Sequence, residues 1–168
     1  NHGDENSKAR DLFTALWVPD LFMERVRDDQ EWTLFCPKTV NLQEYHSEAF
    51  REKYLEAEAT KPGRRIRARD LWEQVIRAQI ETGTPYVMFK DRVNSCSNQQ
   101  HLGTIKGSNL CSEVVQYTSP DEIAVCTLAS VALPKFVLKE DASFDFNALG
   151  ACVEAVVCHL DRVIDTTY

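Results

Sequence analysis

"RARDLWEQVIRAQIETGTPYVMFKD", residues 67–91, holds two periodicities in succession. Leu71, Trp72, Val75, Ile76, Gln79 and Ile80 recur at helical spacing, and Gly83 follows as the residue type that ends a helix in a left-handed turn. The pattern predicts an amphipathic helix with Trp72 in the core. "TPYVMFKD", 84–91, then reads as a strand. A helix that runs into a strand is the repeating unit of an α/β fold, and the flanking sequence supplies more of it.

Upstream, "TALWVPDLFMERVRDD" (14–29) predicts a strand from Ala15 to Val18 and a helix that opens at Pro19 and Asp20 and continues to about Arg27. Proline is tolerated in a first helical turn, and an acidic residue there suits the helix dipole. "EWTLFCP" (31–37) is a second short strand closed by Pro37, and "LQEYHSEAFREKYLEAEA" (42–59) is a mostly surface helix carrying Tyr45, Phe50, Tyr54 and Leu55 among charges. Downstream, "RVNSCSNQQHLGTIKGSN" (92–109) has the Ser, Asn and Gly content of a loop. "LCSEVVQYTS" (110–119) and "EIAVCTLAS" (122–130) read as strands joined by a turn at Pro120 and Asp121. "FDFNALGACVEAVVCHLDRVID" (144–165) is helical by Phe146, Leu149, Val153, Val156, Val157, Leu160 and Ile164. The alternation argues for an α/β architecture with largely parallel strands.

At 168 residues and 43% apolar, the chain is the size of one soluble domain with enough hydrophobic side chains for a core. A formal charge of −7 opposes a polyanionic partner, because nucleic-acid binding rests on Lys and Arg neutralising phosphates. The one basic run, "KPGRRIRAR" (61–69), has no interleaved aromatic residues to stack bases and reads as a solvated turn and helix start. No apolar run approaches the roughly 20 residues that span a bilayer, and the polar start has no signal-peptide layout, so a cytoplasmic protein is expected. Six cysteines without the density of a secreted scaffold fit a reducing compartment.

Cys36, Cys152 and Cys158 read as small buried hydrophobes, and Cys152 and Cys158 do not share a helix face. No two cysteines have zinc-ligand spacing, and His2, His46, His101 and His159 are scattered, so no metal is expected. His101 is the one histidine that the loop could bring to a site; the others read as surface. Asn109, Cys111 and Glu113 stand at alternate positions. In an extended segment such residues face one side, presenting an amide, a thiol and a carboxylate to a common space. The bland alternative is a half-wet strand with Asn and Glu exposed to solvent.

Several stretches carry a resemblance. "GTPYVMFKD" (83–91), "SNQQHLGTIKGSNLCSEVVQYTS" (97–119) and "EIAVCTLASVAL" (122–133) resemble the catalytic barrel of the class I ribonucleotide reductase large subunit, eukaryotic type. "ARDLFTALWVPDLFMERV" (9–26) and "CHLDRVIDTTY" (158–168) are similar to it too. N-L-C-x-E followed by C-x-L-A-S is specific in that setting, whereas a lone N-L-C is weak.

The resemblance implies an α/β fold that is part of a ten-stranded barrel, with a central active-site loop carrying Cys111. It implies that residues 1–168 are a partial catalytic barrel domain of a longer large subunit. In this family the cysteine matched by Cys111 becomes a thiyl radical and takes the 3′ hydrogen of a ribonucleotide. The residue matched by Glu113 acts as base toward the 3′ hydroxyl, and that matched by Asn109 hydrogen-bonds the ribose. The thiol matched by Cys126 is one of a pair that supplies electrons as the 2′ hydroxyl leaves as water.

Implied partners are a ribonucleoside diphosphate substrate, a second large subunit and a small subunit with a metal-derived radical. ATP and deoxynucleotide effectors and thioredoxin or glutaredoxin as reductant complete the family's requirements, and none of these is expected to be a cofactor bound by this segment. No residue here matches the second thiol, and neither Cys36 nor Cys96 falls in its place. The effector loops, ATP cone, phosphate loop, radical-relay tyrosines and C-terminal cysteine pair are also unmatched. The segment alone is therefore expected to be inactive. Two rival readings are a truncated, non-catalytic paralogue that binds the full-length reductase, and a different α/β thiol enzyme with Cys111 as nucleophile.

Overall fold

The structure is a computed structural model that describes Asn6 and residues 12–140 and 142–167. His2 and most of the polar start lie outside the described residues. Residues divide into two units, Asn1–Ala124 and Val125–Tyr168.

The first unit runs β1 (Ala15–Val18), α1 (Asp20–Arg27), β2 (Glu31–Leu34), α2 (Ser47–Thr60), β3 (Arg64–Arg67), α3 (Ala68–Thr82), β4 (Tyr86–Phe89) and α4 (Lys90–Cys96). β1 lies parallel to β4, in register from Ala15 opposite Tyr86 to Val18 opposite Phe89. β2 and β3 are antiparallel, from Glu31 opposite Arg67 to Leu34 opposite Arg64. The α/β alternation is as expected, but the strands are mixed rather than largely parallel. These four strands form two separate pairs and do not close a barrel within this chain.

The punctuation residues do what their chemistry requires. Pro19 caps α1, with Asp20 in its first turn and Arg25 and Arg27 in its last, complementing the dipole. Gly83 ends α3 at a φ of 75°, a left-handed conformation that costs glycine nothing. The core gathers where α1, α2 and the β2–β3 pair meet. Trp32 stacks on Tyr54 with ring centroids 4.1 Å apart, and Phe22 meets Trp32 edge-on at 5.1 Å. Trp72 is half-buried against this cluster.

Four expectations are corrected here. α2 begins at Ser47 and not at Leu42, and although most of its residues are exposed as expected, Phe50, Tyr54 and Ala57 recur on one face and are buried. Tyr54 is only 1% exposed, and its hydroxyl donates to the Thr33 carbonyl (3.0 Å) and accepts the Thr33 N–H (2.6 Å). Within the basic run Arg64–Arg67 form a strand, β3, in place of the solvated turn, and the expected helix start follows at Ala68; Arg65 and Arg67 find carboxylates while Ile66 turns inward against the core. Arg67 is 2.7 Å from Asp29, and Arg65 is 3.5 Å from Glu31. The supposed loop after β4 begins as helix α4. Residues 110–119 and 122–130 are not strands; strands exist only by pairing, and neither segment pairs with another among the described residues.

Arg25 forks onto Glu58 at 2.7 and 2.6 Å, and Thr33 Oγ1 donates to the same carboxylate. Burial pushes the Glu58 carboxyl upward, but these hydrogen bonds outweigh it and hold the group below the usual range. Burial raises the Tyr54 phenol far above its ordinary value.

In the second unit a 3-10 turn at Leu133–Phe136 precedes α5 (Phe146–Thr167), and Val137 bridges Phe144. Asp145 Oδ1 accepts the Ala148 N–H at 2.9 Å, a side-chain cap for α5. None of the described α5 residues is buried. Cys36 and Cys158 are exposed and Cys152 is half-buried, so these thiols are not the buried hydrophobes expected. Each sits where its own unit offers no enclosing layer. No helix among the described residues is long and apolar enough to cross a membrane.

Candidate functional site

Helix α4 anchors the segment that carries the candidate residues. It follows β4 without an intervening loop and buries three polar residues, Lys90, Asp91 and Asn94. Buried polar groups are costly unless satisfied, and each of these is. Asp91, 4% exposed, accepts the backbone N–H of Asp20 at 2.7 Å and of Ser47 at 2.5 Å. One carboxylate thus serves the first N–H groups of both α1 and α2, where a negative charge also complements the helix dipoles.

Lys90, 3% exposed, donates to the Leu42 carbonyl at 2.9 Å and lies 4.8 Å over the Phe50 ring. Burial lowers its pKa from 10.5 to about 8, against the opposing pull of Asp91 and Glu44. Asn94 ties α4 to Ile105, the buried residue at the entrance to the candidate loop. The sequence reading missed these three residues. Their signal is the spacing of Lys90, Asp91 and Asn94, which fits one helical turn directly after a strand.

Beyond Ile105 the chain rises to a turn. The Ser112 N–H donates to the Asn109 carbonyl at 3.1 Å, and Ser112 takes a φ of 64°. Asn109 Oδ1 accepts the Val114 N–H at 3.1 Å and the Ser108 hydroxyl donates to the Val114 carbonyl at 2.5 Å, and the two bonds close the loop across its mouth. Cys111 therefore sits at the tip of a tight turn, exposed, with exposed Asn109 and Glu113 on either side. The extended alternation read from spacing is corrected: a left-handed residue between Cys111 and Glu113 breaks the period of two. The three residues belong instead to one turn, with Asn109 at its root and Cys111 and Glu113 on either side of Ser112. Asn109 also lines a cleft of about 420 Å³ with Lys106, Ser108, Val114, Gln116 and Thr118. Lys106 is held by Glu44 at 2.5 Å.

Cys126 falls in the second unit, in an irregular segment, and is exposed. His101 is exposed in the turn after α4 and does not line the cleft; His159 is exposed, and His46 is half-buried beside Ser47. Among the described residues no three His, Cys, Asp or Glu side chains converge as a metal site would require.

The family model described as "Ribonucleotide reductase, barrel domain" matches residues 1–168. The whole chain is 51% identical to 21% of the ribonucleoside-diphosphate reductase large chain of Cryptosporidium parvum. It is also 50% identical to 20% of the corresponding large subunit of Dictyostelium discoideum. With large chain 2 of Saccharomyces cerevisiae the identity is 50%, over 99% of this chain and 20% of that protein. The chain spans about a fifth of the length of these curated relatives.

Proposed function

The chain belongs to the ribonucleotide reductase barrel-domain family, and from that premise we propose that residues 1–168 are a partial catalytic barrel domain of a longer large subunit. That subunit reduces ribonucleoside diphosphates to deoxyribonucleotides. The observation that carries the reading is the turn at Asn109–Ser112, which presents Cys111 at an exposed tip beside Asn109 and Glu113.

In this reading Cys111, as a thiyl radical, takes the 3′ hydrogen of the substrate ribose. The Glu113 carboxylate accepts the 3′ hydroxyl proton, a role that needs hydrogen-bond reach and not a neighbouring histidine. Asn109 has its Oδ1 committed to the loop and its amide N–H groups to offer to the ribose. Cys126 and a second thiol from elsewhere in the complete subunit supply two electrons as water leaves, and end as a disulfide. The complete barrel excludes water that would quench a radical.

The radical originates in the metal-containing small subunit. Effector nucleotides, a dithiol reductant of the thioredoxin or glutaredoxin kind, a homodimeric large subunit and a cytoplasmic setting belong to the same proposal. The test supplies the complete subunit with its small subunit, a ribonucleoside diphosphate and dithiol. Cys111→Ser abolishes reduction, and Cys126→Ser stops turnover after a radical intermediate has formed. Multiple turnovers by either variant would sink the assignment.

A further inference from the structure

Two side-chain amides outside the reacting trio grip the two limbs of the loop that carries it. On the entering limb, Asn94 is 2% exposed and Ile105 1%. Asn94 Oδ1 accepts the Ile105 N–H at 2.7 Å, and Asn94 Nδ2 donates to the Ile105 carbonyl at 3.1 Å and to the Lys90 carbonyl at 3.0 Å. One amide thus offers Ile105 the donor and acceptor that a neighbouring strand would have offered.

On the leaving limb, Gln99 Oε1 accepts the Tyr117 N–H at 2.8 Å. The Tyr117 ring packs on Gly103, where an added Cβ would stand 2.6 Å from Tyr117 Cε2. Gly103 has a φ of 150°, which side-chain-bearing residues rarely adopt, so glycine permits both this backbone and the close ring. Gln99 is itself fixed by its N–H donating to Ser97 Oγ at 3.0 Å. Both gripping amides therefore project from α4 or from the turn directly after it.

We propose that Asn94 and Gln99 are positioning residues that set where Cys111 and Glu113 stand against the ribose, acting through Ile105 and Tyr117. The proposal rests on the reductase reading of the loop. A tip held at both roots has fewer positions to explore, and a reacting group misplaced by about 1 Å loses about 100-fold in rate. The α4 segment is in turn fixed to α1 and α2 by Asp91, so the loop inherits its position from the body of the first unit.

Gln99 carries the test because it is half-buried and its replacement leaves no charge in the core. Gln99→Met keeps the length and removes the acceptor, whereas Gln99→Glu keeps the acceptor and makes the bond to Tyr117 charge-assisted. The variants are made in the full-length large subunit and assayed with the small subunit and dithiol. Gln99→Met is expected to lower kcat about 10- to 100-fold with an unchanged KM and melting temperature. It should also enlarge the kinetic isotope effect on a 3′-deuterated substrate, because hydrogen abstraction then limits turnover more fully than in the unsubstituted subunit.

Gln99→Glu restores kcat, and hydrogen exchange over 105–117 accelerates in the Met variant alone. Wild-type kcat in Gln99→Met, or equal impairment of the Met and Glu variants, overturns the proposal. If the unsubstituted subunit does not reduce ribonucleotides, the reductase reading falls and exchange alone decides whether the amides hold the loop. Unchanged exchange over 105–117 in Gln99→Met then overturns the grip itself.

Discussion

Asn109 has two separable duties, and a pair of substitutions pulls them apart. Its Oδ1 closes the loop by accepting from Val114 N–H at 3.1 Å. Asn109→Ala deletes that bond, whereas Asn109→Asp keeps the acceptor and loses only the amide donor. An exposed neutral hydrogen bond nets about 0.5–1 kcal/mol, and this one holds the loop closed by about that much. At 1.4 kcal/mol per factor of ten, the loop of the Ala variant opens about 2- to 5-fold more often.

The assay is hydrogen exchange at the Val114 amide in the full-length subunit, read beside nucleotide reduction. Asn109→Ala should speed that exchange by the factor given, and Asn109→Asp should leave it unchanged or slower. Both variants should lose reduction, because both lose the donor assigned to the ribose. Val114 exchange in Asn109→Ala at the wild-type rate would refute the claim that this side chain shapes the turn.

Three further outcomes follow from the body of the first unit. Tyr54→Phe strips partners from both the N–H and the carbonyl of buried Thr33, and should cost about 2–4 kcal/mol in denaturant unfolding; a loss under about 0.5 kcal/mol would show that the hydroxyl is not needed. Asp91→Asn leaves one acceptor oxygen for two helix N-termini; it should destabilise by about 1–3 kcal/mol, and an unchanged melting temperature would contradict the double-cap reading. Lys90 has a folded pKa of about 8 against 10.5, a displacement on the order of 3 kcal/mol. Its stability contribution is complete above the unfolded value and is lost as pH falls through about 8, because the buried ammonium is then charged in the native state. Wild type should therefore gain melting temperature relative to Lys90→Met between pH 8 and 10; parallel profiles would refute the shift.

The elements legible in the sequence are those with local punctuation. α3 carries its own period and its terminal Gly83, and β1 and α1 are separated by Pro19, so their bounds need no knowledge of the rest of the chain. β3 was hidden because four arginines in six residues look solvated until Asp29 and Glu31 are placed opposite them. α4 was hidden because its buried residues are polar, and the hydrogen bonds that satisfy them come from residues far away in sequence.

The candidate trio is the instructive case. Counting in twos put Asn109, Cys111 and Glu113 on one side of an extended strand, whereas the segment turns at Ser112 and is not extended. The family resemblance, which puts a cysteine at the tip of a loop, anticipated the form that the chain takes. Gln99 gave no sequence signal beyond its polarity, and Asn94 only its helical spacing from Lys90 and Asp91, because their work is done on the backbone of Ile105 and Tyr117.

The central claim is that the thiol at the tip of this turn breaks a ribose carbon–hydrogen bond. The direct measurement is reduction of a 3′-deuterated ribonucleoside diphosphate by the full-length subunit with its small subunit, beside the Cys111→Ser variant. The account predicts slower reduction of the deuterated substrate by the unsubstituted protein and no product from Cys111→Ser. Deoxynucleotide made by the serine variant, or reduction without any isotope effect under conditions where hydrogen abstraction is the slow step, would contradict it.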